Sequence, residues 1–114
     1  MSDDTRMGFN EYQNEALRTA GTTTSDGPGF CMTAMGLSGE AGEYTDLMKK
    51  HVFHKHPLDS EKVKKELGDV LWYLAVAAHQ HGFTLEDVAR ANVFKLRARY
   101  PHGFDAQRSQ NREG

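Results

Sequence analysis

Cysteine is almost absent from this chain of 114 residues: Cys31 stands alone, so no intrachain disulfide can staple the fold. Proline is nearly as scarce, at positions 28, 57 and 101, which leaves long stretches free of the residue that most strongly breaks a helix. No long apolar run exists either. The longest, Val70 to Ala78, is nine residues, against the ~20 needed to span a bilayer, so no membrane partner is expected. The opening MSDDTRMGFNEYQ is polar and mixed in charge, unlike a basic-then-apolar leader, and with the lone thiol it predicts a cytoplasmic location. An excess of one charge is also missing. With 14 Lys+Arg against 16 Asp+Glu and a net charge of −2, no field can grip nucleic acid or an anionic membrane over a broad surface; no nucleic-acid partner is expected, and any partner must be met locally.

What remains is the composition of one soluble globular domain over residues 1–114, with the polar stretch DAQRSQNREG at 105–114 read as a fraying tail. Apolar residues recur at spacings of three and four, and neither strand-like alternation nor a long repeat is visible, so the fold class is all-α, a four-helix bundle. The first helix runs from about Phe9 to Ala20 and ends in the linker GTTTSDGPG; the second runs from about Phe30 to Phe53 and is closed at Pro57. The third, from about Glu61 to His81, follows the capping residues Asp59 and Ser60 and stops near Gly82. The fourth opens at Thr84 with a variant capping box that carries Asp87 in place of Glu, and runs to about Arg99. Within the third, VLWYLAVAA is apolar on every side. Three short neighbours cannot cover it all round, which predicts a bundle completed by oligomerisation, as a homodimer or homotetramer. The other reading is a monomer that buries Trp72 and Tyr73 beneath its own linker.

Two acid pairs carry the chemistry: Glu40 and Glu43 in the second helix, Glu66 and Asp69 in the third. The i, i+3 spacing leaves each pair about 60° apart around the helix and roughly 4.5 Å apart along it, so all four can aim at one point between packed helices. Four converging carboxylates repel and call for a cation; hard oxygen donors without paired thiolate select Mg²⁺, with Mn²⁺ a plausible substitute. These acids lie in apolar surroundings, and Gly36, Gly39, Gly42 and Gly68 sit inside predicted helices, where each costs about 1 kcal/mol relative to Ala. Gly36, Gly39 and Gly42 form a strip that would let a neighbouring helix come close and bring the acid pairs together.

On the last helix Leu85, Val88, Asn92, Lys95 and Arg99 share a face that begins apolar and continues as phosphate-binding groups. Gln13, Phe30, Trp72 and Tyr73 could line a base pocket, although aromatic residues at helical spacing more often pack. His54/His56 and His79/His81 lack the spacing of a zinc site, and Cys31 beside Met32 reads as a packed thiol.

At these residues the sequence resembles the MazG-like family of all-α nucleoside triphosphate pyrophosphohydrolases. The likeness covers YQNEALRTA at 12–20, GLSGEAGEYTDLMKK at 36–50, KELGDVLWYLA at 65–75 and ANVFKLRARYPHGF at 91–104. It implies that Glu40, Glu43, Glu66 and Asp69 bind Mg²⁺, and that Asn92, Lys95, Arg99 and Tyr100 meet the phosphates of a nucleoside triphosphate. The implied reaction releases a monophosphate and pyrophosphate by water attack at the α-phosphorus, with Glu43 or Glu40 accepting the proton, in the service of nucleotide-pool control. Many relatives carry a further acid where this chain has Gly39. Two other classes stay open on the residues alone: a helical dimerisation or regulatory module without catalysis, and a di-iron carboxylate bundle, disfavoured because no Glu is followed by His at i+3.

Overall fold

The computed structural model describes residues 6–104; the expected tail at 105–114 lies outside them. Four helices follow in order: α1 (Phe9–Leu17), α2 (Gly27–Phe53), α3 (Ser60–Gln80) and α4 (Leu85–Arg99). No β-strand is formed among the described residues, and only an isolated bridge joins Pro101 to Gly103. The all-α reading is correct.

Helix ends follow the capping chemistry. Asp59 accepts hydrogen bonds from Glu61 N and Lys62 N to open α3, and Thr84 and Asp87 form the expected reciprocal box at the start of α4. α3 closes as a Schellman motif: Gly82 takes φ +81°, Phe83 N donates to Ala78 O and Gly82 N to His79 O. Two boundaries differ from the sequence reading. α2 begins three residues early, because the Asp26 carboxylate accepts from Gly29 N at 2.8 Å and Pro28 suits the first turn. α1 ends at Leu17 instead of Ala20, where short turn bonds from Thr19 N to Ala16 O and Ala20 N to Leu17 O replace the helical pattern.

α2 and α3 form a long antiparallel hairpin, with Gly36 opposite Tyr73 and Gly29 opposite Gln80, whose Nε2 donates to Gly29 O and Thr24 O. α1 crosses the far side of α3 and closes a small core of Ala16, Ala75 and Leu85, flanked by Tyr12, Leu71 and Trp72. Within VLWYLAVAA the chain's own packing buries Ala75, Val76 and Ala78 but leaves Leu74 41% exposed. The linker does not cover Trp72 and Tyr73; it borders a cavity beside them. Cys31 is exposed rather than packed.

Of the glycine strip, only Gly36 works as anticipated. A Cβ there would overlap the Tyr73 ring, whereas Gly39, Gly42 and Gly68 face open space. Gly36→Ala should therefore lose up to about 2 kcal/mol, because overpacking against a ring costs ~1–3 kcal/mol against a gain of ~1 kcal/mol in helix propensity. Gly39→Ala should keep that gain. Urea midpoints of the two variants moving in the same direction would show that Gly36 is not a close-approach position.

Candidate active site

The hairpin register places Glu40 of α2 level with Glu66 and Asp69 of α3. One carboxylate oxygen from each lies within 4.8 Å of the others, and only carboxylates make up the group. Glu66 Oε2 is buried and has no hydrogen-bond partner among the described residues. A buried, unpartnered carboxylate oxygen is costly, and this one sits among like charges. The Glu40 carboxyl is pushed above its ordinary range, first by loss of water and then by Asp69 and Glu66, with a smaller contribution from Glu43. A cation is what such a set lacks, and all-oxygen donors fit a hard divalent ion.

Glu43 lies one turn further along α2, exposed and outside this group of three, though its charge reaches both Glu40 and Lys50. Tyr12 is a neighbour that sequence reasoning missed. From α1 it packs against the core, and burial together with the negative charge of Asp69 raises its phenol pKa. Its i, i+4 relation to Ala16 marked only a buried face; nothing local to α1 signals that the face ends beside Asp69.

Along the same seam, from the acids toward the start of α2, a cavity of about 230 Å³ opens, lined by Thr22, Thr24, Met32, Trp72, Tyr73 and Gln80 among others. Trp72 is held there by a 2.9 Å hydrogen bond from Nε1 to Thr19 Oγ1 and meets Tyr73 edge-on at 4.9 Å. The volume is below the ~300–1,000 Å³ of pockets that enclose a whole ligand, so it suits one ring system.

Gln13 does not join this cavity. It is 5% exposed, its Nε2 donates to Ala75 O and Phe83 O, and its Oε1 accepts from Leu85 N. Those three bonds tie α1 to the end of α3 and the start of α4, so the side chain is committed to the scaffold. Phe30 also lies elsewhere, stacked on His81 at 4.6 Å.

α4 touches α1 and α3. Leu85 begins the anticipated stripe in the core, Val88 is already 43% exposed, and Asn92 and Lys95 are exposed with no hydrogen bond or ion pair among the described residues. Arg99 and Tyr100 are half-buried, and the Tyr100 ring stacks on Phe104 at 5.9 Å. The structure thus assembles three of the four acids directly, and among the described residues Asn92 and Lys95 make no direct bond to them.

A helical hairpin with paired acids on both arms and a cationic last helix makes this an all-α protein built around a carboxylate cluster. The MazG nucleotide pyrophosphohydrolase domain matches residues 31–104, and the chain belongs to that family. It is also similar to the Gene 37 protein of Mycobacterium phage L5, at 35% identity over 88 residues, covering 74% of this chain and 77% of the phage protein. No solved structure gives a significant match. No helix among the described residues is long and apolar enough to cross a membrane.

Proposed function

We propose that the protein is a Mg²⁺-dependent nucleoside triphosphate pyrophosphohydrolase that converts a (deoxy)nucleoside triphosphate to the monophosphate and pyrophosphate, in nucleotide-pool control. The observation that carries this reading is the grouping of Glu40, Glu66 and Asp69, one oxygen of each within 4.8 Å of the others, in which Glu66 also has a buried Oε2 without a hydrogen-bond partner among the described residues. In this reading Glu40, Glu66 and Asp69 would hold Mg²⁺ or Mn²⁺ with Glu43 beside them, and the ion would supply Lewis-acid activation of water and charge neutralisation on the departing pyrophosphate.

The chain's own groups divide the remaining work. Glu43, exposed next to the cluster, accepts the proton of the attacking water. Asn92, Lys95, Arg99 and Tyr100 hold the phosphates, and Trp72 with Tyr73 receives the base in the cavity on the same seam. With the base on that side of the acids and the distal phosphates held by α4, the α-phosphorus falls at the acids, and cleavage lies between α and β.

Hydrolysis in ¹⁸O-labelled water tests the assignment. Label should appear in the nucleoside monophosphate, with intact pyrophosphate as co-product. Label in orthophosphate with diphosphate as co-product would mean attack at the γ end and would overturn the proposed placement of substrate. Lys95→Ala should weaken binding of the triphosphate by roughly tenfold or more while leaving monophosphate binding little changed, as loss of a charge-assisted bond to a distal phosphate requires.

A further inference from the structure

The near-zero net charge of the whole chain conceals a strong local asymmetry. Six of its seven lysines and three of its six histidines fall within residues 46–65, the closed end of the α2–α3 hairpin, where only three acids stand. Those acids are already engaged. Asp46 pairs with Lys49 at 3.4 Å and Lys50 at 2.9 Å, Glu61 pairs with Lys64 at 3.6 Å, and the Asp59 carboxylate caps α3. Lys55, Lys62 and Lys65 have no acidic partner among the described residues. Phe53 stands in the same segment with 74% of its surface exposed, and Val52 at 54% and Leu58 at 49% are exposed there too.

The turn is also held in shape. His54 N and His56 N both donate to Lys50 O, the His51 ring bonds His56 O at 2.8 Å, and Lys55 takes φ +60°, an uncommon conformation for a residue with a side chain. A fixed hairpin end that carries both an exposed ring and cations without acidic partners matches what an unpaired base on a phosphate backbone requires. A lipid surface would want more apolar area than one phenyl ring and two aliphatic side chains. A duplex offers no free base face to Phe53.

We propose that this hairpin tip, through Phe53, Lys55, Lys62 and Lys65, binds single-stranded nucleic acid at a site separate from the acid cluster. The expectation of no nucleic-acid partner, drawn from overall charge, is thereby revised for this one surface.

Fluorescence anisotropy with a labelled oligothymidylate, and the matching oligouridylate to separate DNA from RNA, tests it. Three neutralised phosphates give a log–log salt slope of about −2, so raising salt about fourfold should weaken binding roughly 20-fold. Phe53→Ala should weaken it by roughly tenfold, and Lys55→Glu with Lys62→Glu should abolish it. Triphosphate hydrolysis should be unchanged in each variant. Hydrogen exchange of the wild-type protein provides a readout that needs no variant: the oligonucleotide should protect the turn between α2 and α3. Overturning results are no binding at low salt and high protein concentration, binding unaffected by these substitutions, protection elsewhere on the molecule, or equal affinity for duplex DNA or acidic vesicles.

Discussion

Glu40→Gln should raise the melting temperature of the metal-free protein while removing at least about 100-fold of its hydrolytic activity, the scale on which loss of one group that stabilises developing charge is felt. The opposite signs follow from one geometry. Because the folded state raises the Glu40 pKa, the folded protein binds that proton more tightly than the unfolded chain does. The associated stability is present below the ordinary carboxylate pKa and is lost as pH rises through the raised one, so at neutral pH the ionised group opposes folding. A neutral amide removes the repulsion at all pH values. Mg²⁺ should relieve the same repulsion in the wild type: at ten times its dissociation constant it contributes about 1.4 kcal/mol, or several degrees in a domain of this size. That increment should shrink in Glu40→Gln and in Asp69→Asn. Thermal melts with and without Mg²⁺ decide the matter. An equal metal-dependent rise in wild type and variants, with a lower metal-free melting point for Glu40→Gln, would remove the cluster as a metal centre.

The acid cluster was legible because i, i+3 spacing on two helices joined by a short turn fixes both the face and the register of each pair. That same argument could not separate Glu43 from the other three. Glu40 and Glu43 differ by 60° around α2, and which of them turns into the seam depends on the close approach of Gly36 to Tyr73, a contact between residues 37 positions apart. Gln13 shows the limit from the other side. A polar residue on an apolar stripe can serve a ligand or the scaffold, and its three bonds to Ala75, Phe83 and Leu85 are made at separations of 62 to 72 residues, invisible to any local pattern. Tyr12 was likewise unreadable, since its proximity to Asp69 is set by how α1 crosses α3. The α4 capping box, the Asp59 cap of α3 and the stop at Gly82, each made within six residues of sequence, were recovered almost to the residue.

Replacing both Leu67 and Leu74 by Glu should turn an oligomer into a 12.8 kDa monomer. Around α3, at ~100° per residue, Val63, Leu67, Val70 and Leu74 fall in one narrow sector, about a quarter-turn from the Tyr73 side that meets α2. Phe30, Leu37, Tyr44 and Met48 occupy the matching sector of α2. The stack of Phe30 on His81 shows that the two sectors lie on the same side of the hairpin. Leu67 is 49% and Leu74 41% exposed, with Leu37, Tyr44, Met48 and Val70 half-buried beside them. At the same ~100° per residue, Asp69 falls about 40° from Tyr73, beside the seam and outside the Leu67/Leu74 sector, so this apolar face can be covered without closing the seam on which the acids sit. A second hairpin packed here would complete a four-helix layer, which supports the homodimer, or dimer of dimers, that we propose. Two buried leucines at the centre of such an interface, exchanged for charges, should raise the dissociation constant by at least about 100-fold. Light scattering at micromolar concentration reads the result directly. The metal-dependent rise in melting temperature should survive the substitution, because the acids belong to a single chain; a wild-type protein that already scatters as a monomer would leave Leu67 and Leu74 without the partner assigned to them.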